Sequence, residues 1–192
     1  SGLMQLNIKG RTPGLRFGAP CDQVRARPAA LVGVGCADRH CHGRSNGMVA
    51  PNARAQIACV RAAFARAGID PAVTQYVEAH GTGTPQNRTT ESQILSQAAR
   101  AFGIDSWPVA AMKCYLGHSI GSAAGDQISA TLGVWQHGLI PGITTIDEIA
   151  EDVCQDHLAF SREHRQVDPQ QQKYAIINSK GFGGNNASAT LL

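Results

Sequence analysis

Val77-Glu78-Ala79-His80-Gly81-Thr82-Gly83-Thr84-Pro85 sets one histidine between an apolar run and a glycine-threonine repeat. Thr74-Gln75-Tyr76-Val77, β-branched and aromatic, reads as a short buried strand that ends at the histidine. Thr89-Thr90-Glu91-Ser92-Gln93-Ile94-Leu95 reads as a helix start, with Thr89 or Thr90 as the expected N-cap. The two glycines allow a tight turn and close approach of the backbone to a ligand. The hydroxyls of Thr82 and Thr84 suit a polar, amide-rich chain. A histidine beside glycines is by itself an ordinary loop residue, so the weight of this stretch depends on what accompanies it.

Its companion lies farther along. Trp107-Pro108-Val109-Ala110-Ala111-Met112 predicts a strand, and it delivers Lys113-Cys114-Tyr115-Leu116-Gly117-His118-Ser119-Ile120-Gly121-Ser122-Ala123-Ala124-Gly125. A lysine and a histidine five residues apart follow that strand. The small residues after them permit close packing of a helix, which is expected to run through Ile128, Leu132 and Trp135 to the neighbourhood of Gly138. Near the end, Tyr174–Ser179 and Ala187–Leu192 read as strands flanking the turn Gly181-Phe182-Gly183-Gly184-Asn185-Asn186. Residues 143–172 read as loops with a short strand.

Upstream, Ala30-Leu31-Val32-Gly33-Val34-Gly35 has strand length, and Gly43-Arg44-Ser45-Asn46-Gly47-Met48-Val49-Ala50-Pro51-Asn52 leads to a helix. In that helix Gln56, Ile57, Val60 and Phe64 recur at helical spacing up to Gly68, an expected C′ residue. A second amphipathic helix carries Glu91, Ile94, Leu95, Ala98, Ala99 and Phe102 and ends near Gly103. Strands alternating with helices imply an α/β layered fold with a mostly parallel sheet. Residues 1–28, rich in Gly, Pro and Arg, form an irregular segment; residues 29–192 carry the regular pattern.

Composition narrows the classes. With 192 residues, 43% hydrophobic and 16% charged, the chain can build one substantial core. A net charge of +3 with scattered basic residues speaks against nucleic-acid binding. No apolar run reaches the roughly 20 residues of a membrane span, and no leader pattern is seen, so a cytoplasmic location is expected. The six cysteines include no CxxC pair and imply reduced thiols rather than a disulfide framework. Cys36, His40, Cys41 and His42 fit no common zinc spacing, so no metal is expected.

The two histidine stretches, with Gly43-Arg44-Ser45-Asn46-Gly47 and Ala50-Pro51-Asn52 before them and the closing Gly181-Phe182-Gly183-Gly184-x-Asn186-Ala187 signature, resemble the β-ketoacyl synthases. These are condensing enzymes of fatty-acid and polyketide synthesis with the thiolase fold. The likeness covers roughly residues 29–192 and corresponds to the C-terminal half of that duplicated architecture. It implies a decarboxylative Claisen condensation: a cysteine holds the acyl chain, and malonyl on acyl carrier protein loses CO2 and attacks it. Two histidine motifs point to this decarboxylating branch rather than to a thiolase using acetyl-CoA. The resemblance assigns His80 and His118 to stabilising negative oxygen and Lys113 with Glu91 to a supporting network. It assigns Thr82 and Thr84 to the phosphopantetheine arm, and Phe182, flanked by Gly183 and Gly184, to a gate. The only cofactor-like group implied is that arm, carried by the substrate.

Cys21, in Ala19-Pro20-Cys21-Asp22, is the candidate nucleophile by this likeness, although proline and aspartate depart from the family text. It precedes His80 by 59 residues, far fewer than the family's spacing. The chain is thus expected to be a C-terminal portion, or a shortened form, that works as a homodimer or with an N-terminal ketosynthase half. Asn87-Arg88 stands where the family usually has Gly-Asp, and one extra residue separates His118 from Gly125. Two other readings fit parts of the pattern: a non-catalytic thiolase-like subunit that binds a carrier protein or partner, and a His/Cys metal hydrolase that would need stoichiometric zinc.

Overall fold

The computed structural model describes residues 31–37, 53–168, 175–181 and 185–191. Its centre is a six-stranded mixed sheet in the order β1-β8-β7-β2-β3-β5. Strand β1 is Leu31–Ala37, β2 Tyr76–Glu78, β3 Trp107–Ala110, β5 Leu158–Ala159, β7 Ala175–Gly181 and β8 Asn185–Leu191. The strands β7, β2, β3 and β5 run parallel, while β8 is antiparallel to both β7 and β1. Strands β4 (Leu139–Ile140) and β6 (Arg165–Gln166) form a small separate antiparallel pair.

Helices cover both faces. Helix α1 (Ala53–Ala67) and helix α2 (Pro85–Ala101) lie on one face, with Val60, Phe64, Leu95 and Ala98 packed against Val77, Trp107, Val109 and Ile176. Helix α4 (Ala123–His137) lies on the other, where Val134 and Trp135 meet Tyr76, Ala110, Ala175 and Ile177. The strand residues divide between the faces with the period of two that a pleated sheet dictates. Tyr76 and Val77 are adjacent in sequence, yet both are fully buried, each under a different helix layer. A strand buried on both faces shows no polar alternation, which is why this one reads as continuous apolar text.

Most boundaries fall where the pattern puts them: Gly68 and Gly138, at positive φ, follow α1 and α4. The start of α2 is different. The helix begins at Pro85 with Thr84 at the N-cap, a full turn before Thr89 and Thr90. Proline has its φ preset for the first helical position and lacks an N–H that would go unused there. Thr89 and Thr90 sit inside the helix, where the Thr90 hydroxyl donates to the Gln86 carbonyl.

Candidate active site

His80 lies just beyond the C-terminal end of β2, and the turn after it is fixed by one carboxylate. Glu91, projecting from α2, accepts the His80 N–H on Oε1 at 2.8 Å and the Gly81 N–H on Oε2 at 2.9 Å. The Asn87 amide donates to the same Oε2 at 2.8 Å. Hydrogen bonds to an ionised acceptor are about twice as strong as neutral ones, so this staple holds the histidine backbone firmly. Gly81 is obligatory in the turn. It has φ +55°, and a Cβ there would come within 2.8 Å of the Ala111 Cβ. Gly81→Ala is expected to cost about 1–2 kcal/mol from the left-handed backbone alone, read as a lower urea midpoint at unchanged slope.

His118 follows β3 and the single turn α3 (Lys113–Leu116). Gly117, at φ +73°, reverses the chain, and the His118 ring comes edge-to-face with the His80 ring at a centroid distance of 5.3 Å. Two residues that stand 38 apart in sequence thus share one site. The His118 Nδ1 accepts the Ile120 N–H at 3.0 Å. An accepting Nδ1 leaves the neutral ring's proton on Nε2. Desolvation and the nearby Lys113 charge both hold the imidazole below its ordinary range, which favours that neutral form. Ile120 has φ +57°, rare for a β-branched residue, so backbone strain is concentrated beside the histidine.

Lys113 is buried, and its Nζ has no hydrogen-bond partner among the described residues. It is no surface ion pair. An apolar cavity of about 340 Å³, walled by Leu95, Val109, Ile146 and Phe160, adjoins it. Desolvation lowers its basicity, opposed by the carboxylates of Glu78, then Glu91 and Asp126.

Glu78 is a participant that the sequence motifs leave unremarked. It is 1% exposed at the end of β2, and its Oε1 accepts the Met112 N–H at 2.7 Å. Burial raises its carboxyl to about 7, against the opposing influence of that hydrogen bond and of Lys113. A carboxyl whose folded value exceeds its unfolded value of 4.5 stabilises the fold fully at low pH and loses that contribution as pH rises through about 7. Stability is therefore expected to decline between about pH 5 and pH 7. Glu78→Gln, which keeps the Oε1 acceptor, is expected to flatten that decline in urea titrations at stepped pH.

The other expected site residues divide into two groups. Thr82 and Thr84 lie together at the surface, their hydroxyls 3.4 Å apart. Cys21, Phe182, Gly183 and Gly184 lie outside the described residues, as do His40, Cys41 and His42 of the zinc reading. No group of three metal-ligating side chains occurs among the described residues. The Asn87-Arg88 departure has a local explanation: Asn87 bonds Glu91, while Arg88 Nε pairs with Asp152 at 2.9 Å and Thr89 donates to the same carboxylate. This ties the first turn of α2 to the segment around residue 152.

Residues 30–147 match the family described as β-ketoacyl synthase, C-terminal domain. The chain belongs to that family. It is 53% identical over 118 residues to the β-ketoacyl-[acyl-carrier-protein] synthase FabY of Pseudomonas aeruginosa, covering 61% of this chain and 18% of that protein. The crystal structure of FabY superposes with a TM-score of 0.76 at 40% identity, over 85% of this chain and 26% of that one. The highly reducing polyketide synthase otaA of Aspergillus carbonarius is 33% identical over 192 residues, which is 99% of this chain and 7% of that protein. The ketosynthase ApeO, solved in complex with its chain length factor ApeC from Xenorhabdus doucetiae, gives a TM-score of 0.72 at 28% identity over 86% of this chain and 39% of that one. The fold is therefore the thiolase-like fold of the ketosynthases. The chain spans less than a fifth of the length of the curated relatives named here. Among the described residues no helix is long and apolar enough to cross a membrane.

Proposed function

We propose that this chain is the histidine-bearing part of a β-ketoacyl-[acyl carrier protein] synthase, acting in fatty-acid or polyketide synthesis. The observation that carries the reading is the His118 Nδ1 bond to the Ile120 N–H, made in a ring 5.3 Å from His80. It leaves an Nε2–H donor beside the buried His80 imidazole. Two preorganised imidazole donors suit an oxygen on which negative charge develops.

In this scheme the malonyl thioester loses CO2, and the electron pair of the broken C–C bond passes into the thioester carbonyl. His80 and His118 donate to the resulting enolate oxygen. The enolate carbon then attacks an acyl-cysteine thioester, and the tetrahedral intermediate expels the thiolate. Cys21 is the candidate nucleophile within this chain. Lys113, desolvated behind the pair, adds positive potential and opposes protonation of His118. Thr82 and Thr84 offer hydroxyls to the phosphopantetheine arm.

Oxyanion donors gain strength where water is excluded, and His118 is exposed in the isolated chain. Beside it, Leu116 and Ile120 are 63% and 80% exposed, and Leu132 is also solvent-facing. Such apolar exposure suits cover by further protein. An N-terminal ketosynthase half or a second subunit is the partner this reading requires, with acyl carrier protein delivering both substrates.

The test is intact-protein mass and peptide mapping after incubation with acyl carrier protein bearing a long acyl chain. A Cys21 adduct that depends on both histidines supports a self-contained site. An adduct on a supplied N-terminal half, with ketoacyl product appearing only in the mixture, supports a two-part enzyme. Absence of product in both arrangements would overturn the proposal.

A further inference from the structure

The helix that follows His118 and the strand that precedes His80 meet at one buried side chain. Gln127, on the second turn of α4, is 1% exposed. Its Nε2 lies 2.8 Å from the Ala79 carbonyl, 3.2 Å from that of Asn178 and 3.3 Å from that of Glu78. Ala79 immediately precedes His80, and Asn178 lies on the neighbouring strand β7. Three main-chain carbonyls, from the end and exit of β2 and from the parallel strand β7, thus converge on a single amide nitrogen. With two N–H groups facing three acceptors, at least one is shared. The opposite end of the side chain, Oε1, has no partner among the described residues. A primary amide buried with its acceptor idle is held there for what its nitrogen does.

The consequence is geometric. Glu91 fixes the turn after His80 from the α2 side, but nothing in that staple reaches His118. Gln127 supplies the link from the other face of the sheet, because α4 starts five residues after His118 and is seated on the β2 exit through this amide. Thr131, one turn later, accepts the Tyr76 hydroxyl at 2.8 Å and donates to the Gln127 carbonyl, which holds the helix in register.

We infer that Gln127 is a positioning residue that sets the separation of the His80 and His118 rings by anchoring the helix after one to the strand exit before the other. Its bearing on rate rests on the condensing reading above; its bearing on ring separation does not. A displacement of about 1 Å in a catalytic constellation can cost ~10²-fold in rate.

The test uses histidine-labelled 192-residue chain and the nuclear Overhauser contact between the two rings. Gln127→Met keeps the volume and removes the donors. The ring contact is expected to fall several-fold, while Val60→Ala, a buried truncation on the opposite face of the sheet, loosens the core and leaves the contact intact. Unchanged contact in Gln127→Met, or equal loss in both variants, would overturn the inference. Should Gln127→Met fail to fold, Gln127→Glu provides the reading: a buried carboxyl protonated at about pH 6 retains one donor, and its ionisation by about pH 9 removes it. The ring contact is then expected at the lower pH and lost at the higher one, and a pH-independent contact would refute the role. With activity restored by an N-terminal half, Gln127→Met is expected to lower kcat ~10²-fold at nearly constant KM. Failure of the condensing reading would leave all chains, wild type included, inactive while the ring contact still responded to Gln127.

Discussion

His118→Ala is expected to lower the rate of malonyl decarboxylation by roughly 10²–10³-fold in an assembled synthase, the usual cost of losing one preorganised oxyanion donor. Substrate binding is expected to change little, because the Nε2–H contact strengthens only as charge accumulates on oxygen. The check is release of labelled CO2 from malonyl thioester at saturating substrate. His80→Ala is expected to fall in the same range, and the double variant well short of the product of the two effects, since the histidines serve one oxyanion. His118→Gln, which keeps an N–H donor but loses the Nδ1 anchor to Ile120, is expected to retain an intermediate rate. A His118→Ala enzyme within a factor of two of wild type would remove the pair from the mechanism.

The pH dependence follows from the same bond. Protonating Nδ1 sets two N–H groups against each other at Ile120. The folded imidazole titrates below its ordinary 6.5, so the stability it contributes is present above that pH and is lost as pH falls through the folded value. Loss of activity on acidification is accordingly expected to be centred below 6.5.

Glu91→Ala is expected to have the largest effect on stability. It removes the acceptor of the His80 and Gly81 N–H groups and of the Asn87 amide, all at 2.8–2.9 Å. Leaving a buried donor unpaired costs about 1–3 kcal/mol. His80 is 6% exposed, whereas water reaches Gly81 more readily. The sum is expected near 3 kcal/mol in urea unfolding, about three times the effect of an average point mutation. Glu91→Gln retains one acceptor oxygen and presents an N–H to the other position, so it is expected to recover only part of that loss. Equal stability of Glu91→Ala and wild type would mean that the turn is held by other contacts.

These effects also mark what the sequence could reveal. The strand-glycine-helix text around His80 and the Lys113–His118 spacing were legible because each rests on local chemistry: apolar strand, positive-φ glycine, short reversal. The layering of helices on a largely parallel sheet followed from alternation of the two periods. Glu78 and Gln127 were not legible. Glutamate in Val77-Glu78-Ala79 and glutamine in Asp126-Gln127-Ile128 read as ordinary polar residues, and only the tertiary packing shows both to be buried. The start of α2 was misread because Thr89 and Thr90 are good caps by type, while Thr84 takes the N-cap five residues before Thr89 and Pro85, with its φ fixed, opens the helix. The roles proposed for Cys21 and Phe182 continue to rest on likeness, both lying outside the described residues.

The parallel pairing of β2 with β7 imposes an order of events on synthesis. Val77 sits opposite Ile176, a partner 99 residues later in the chain. At ~5–20 residues per second, roughly 5–20 s separate the making of the two strands. During that interval β2 has β3 on one side and an open edge on the other, with Tyr76, Val77 and Glu78 lacking their strand partners Ala175, Ile176 and Ile177. Pairings of such long sequence separation are slow to form because loop closure must precede any gain. The Gln127 amide likewise lacks its Asn178 carbonyl until β7 arrives. A nascent chain stalled before residue 175 would carry His80, Glu91 and His118 on a β2 that still lacks its β7 neighbour.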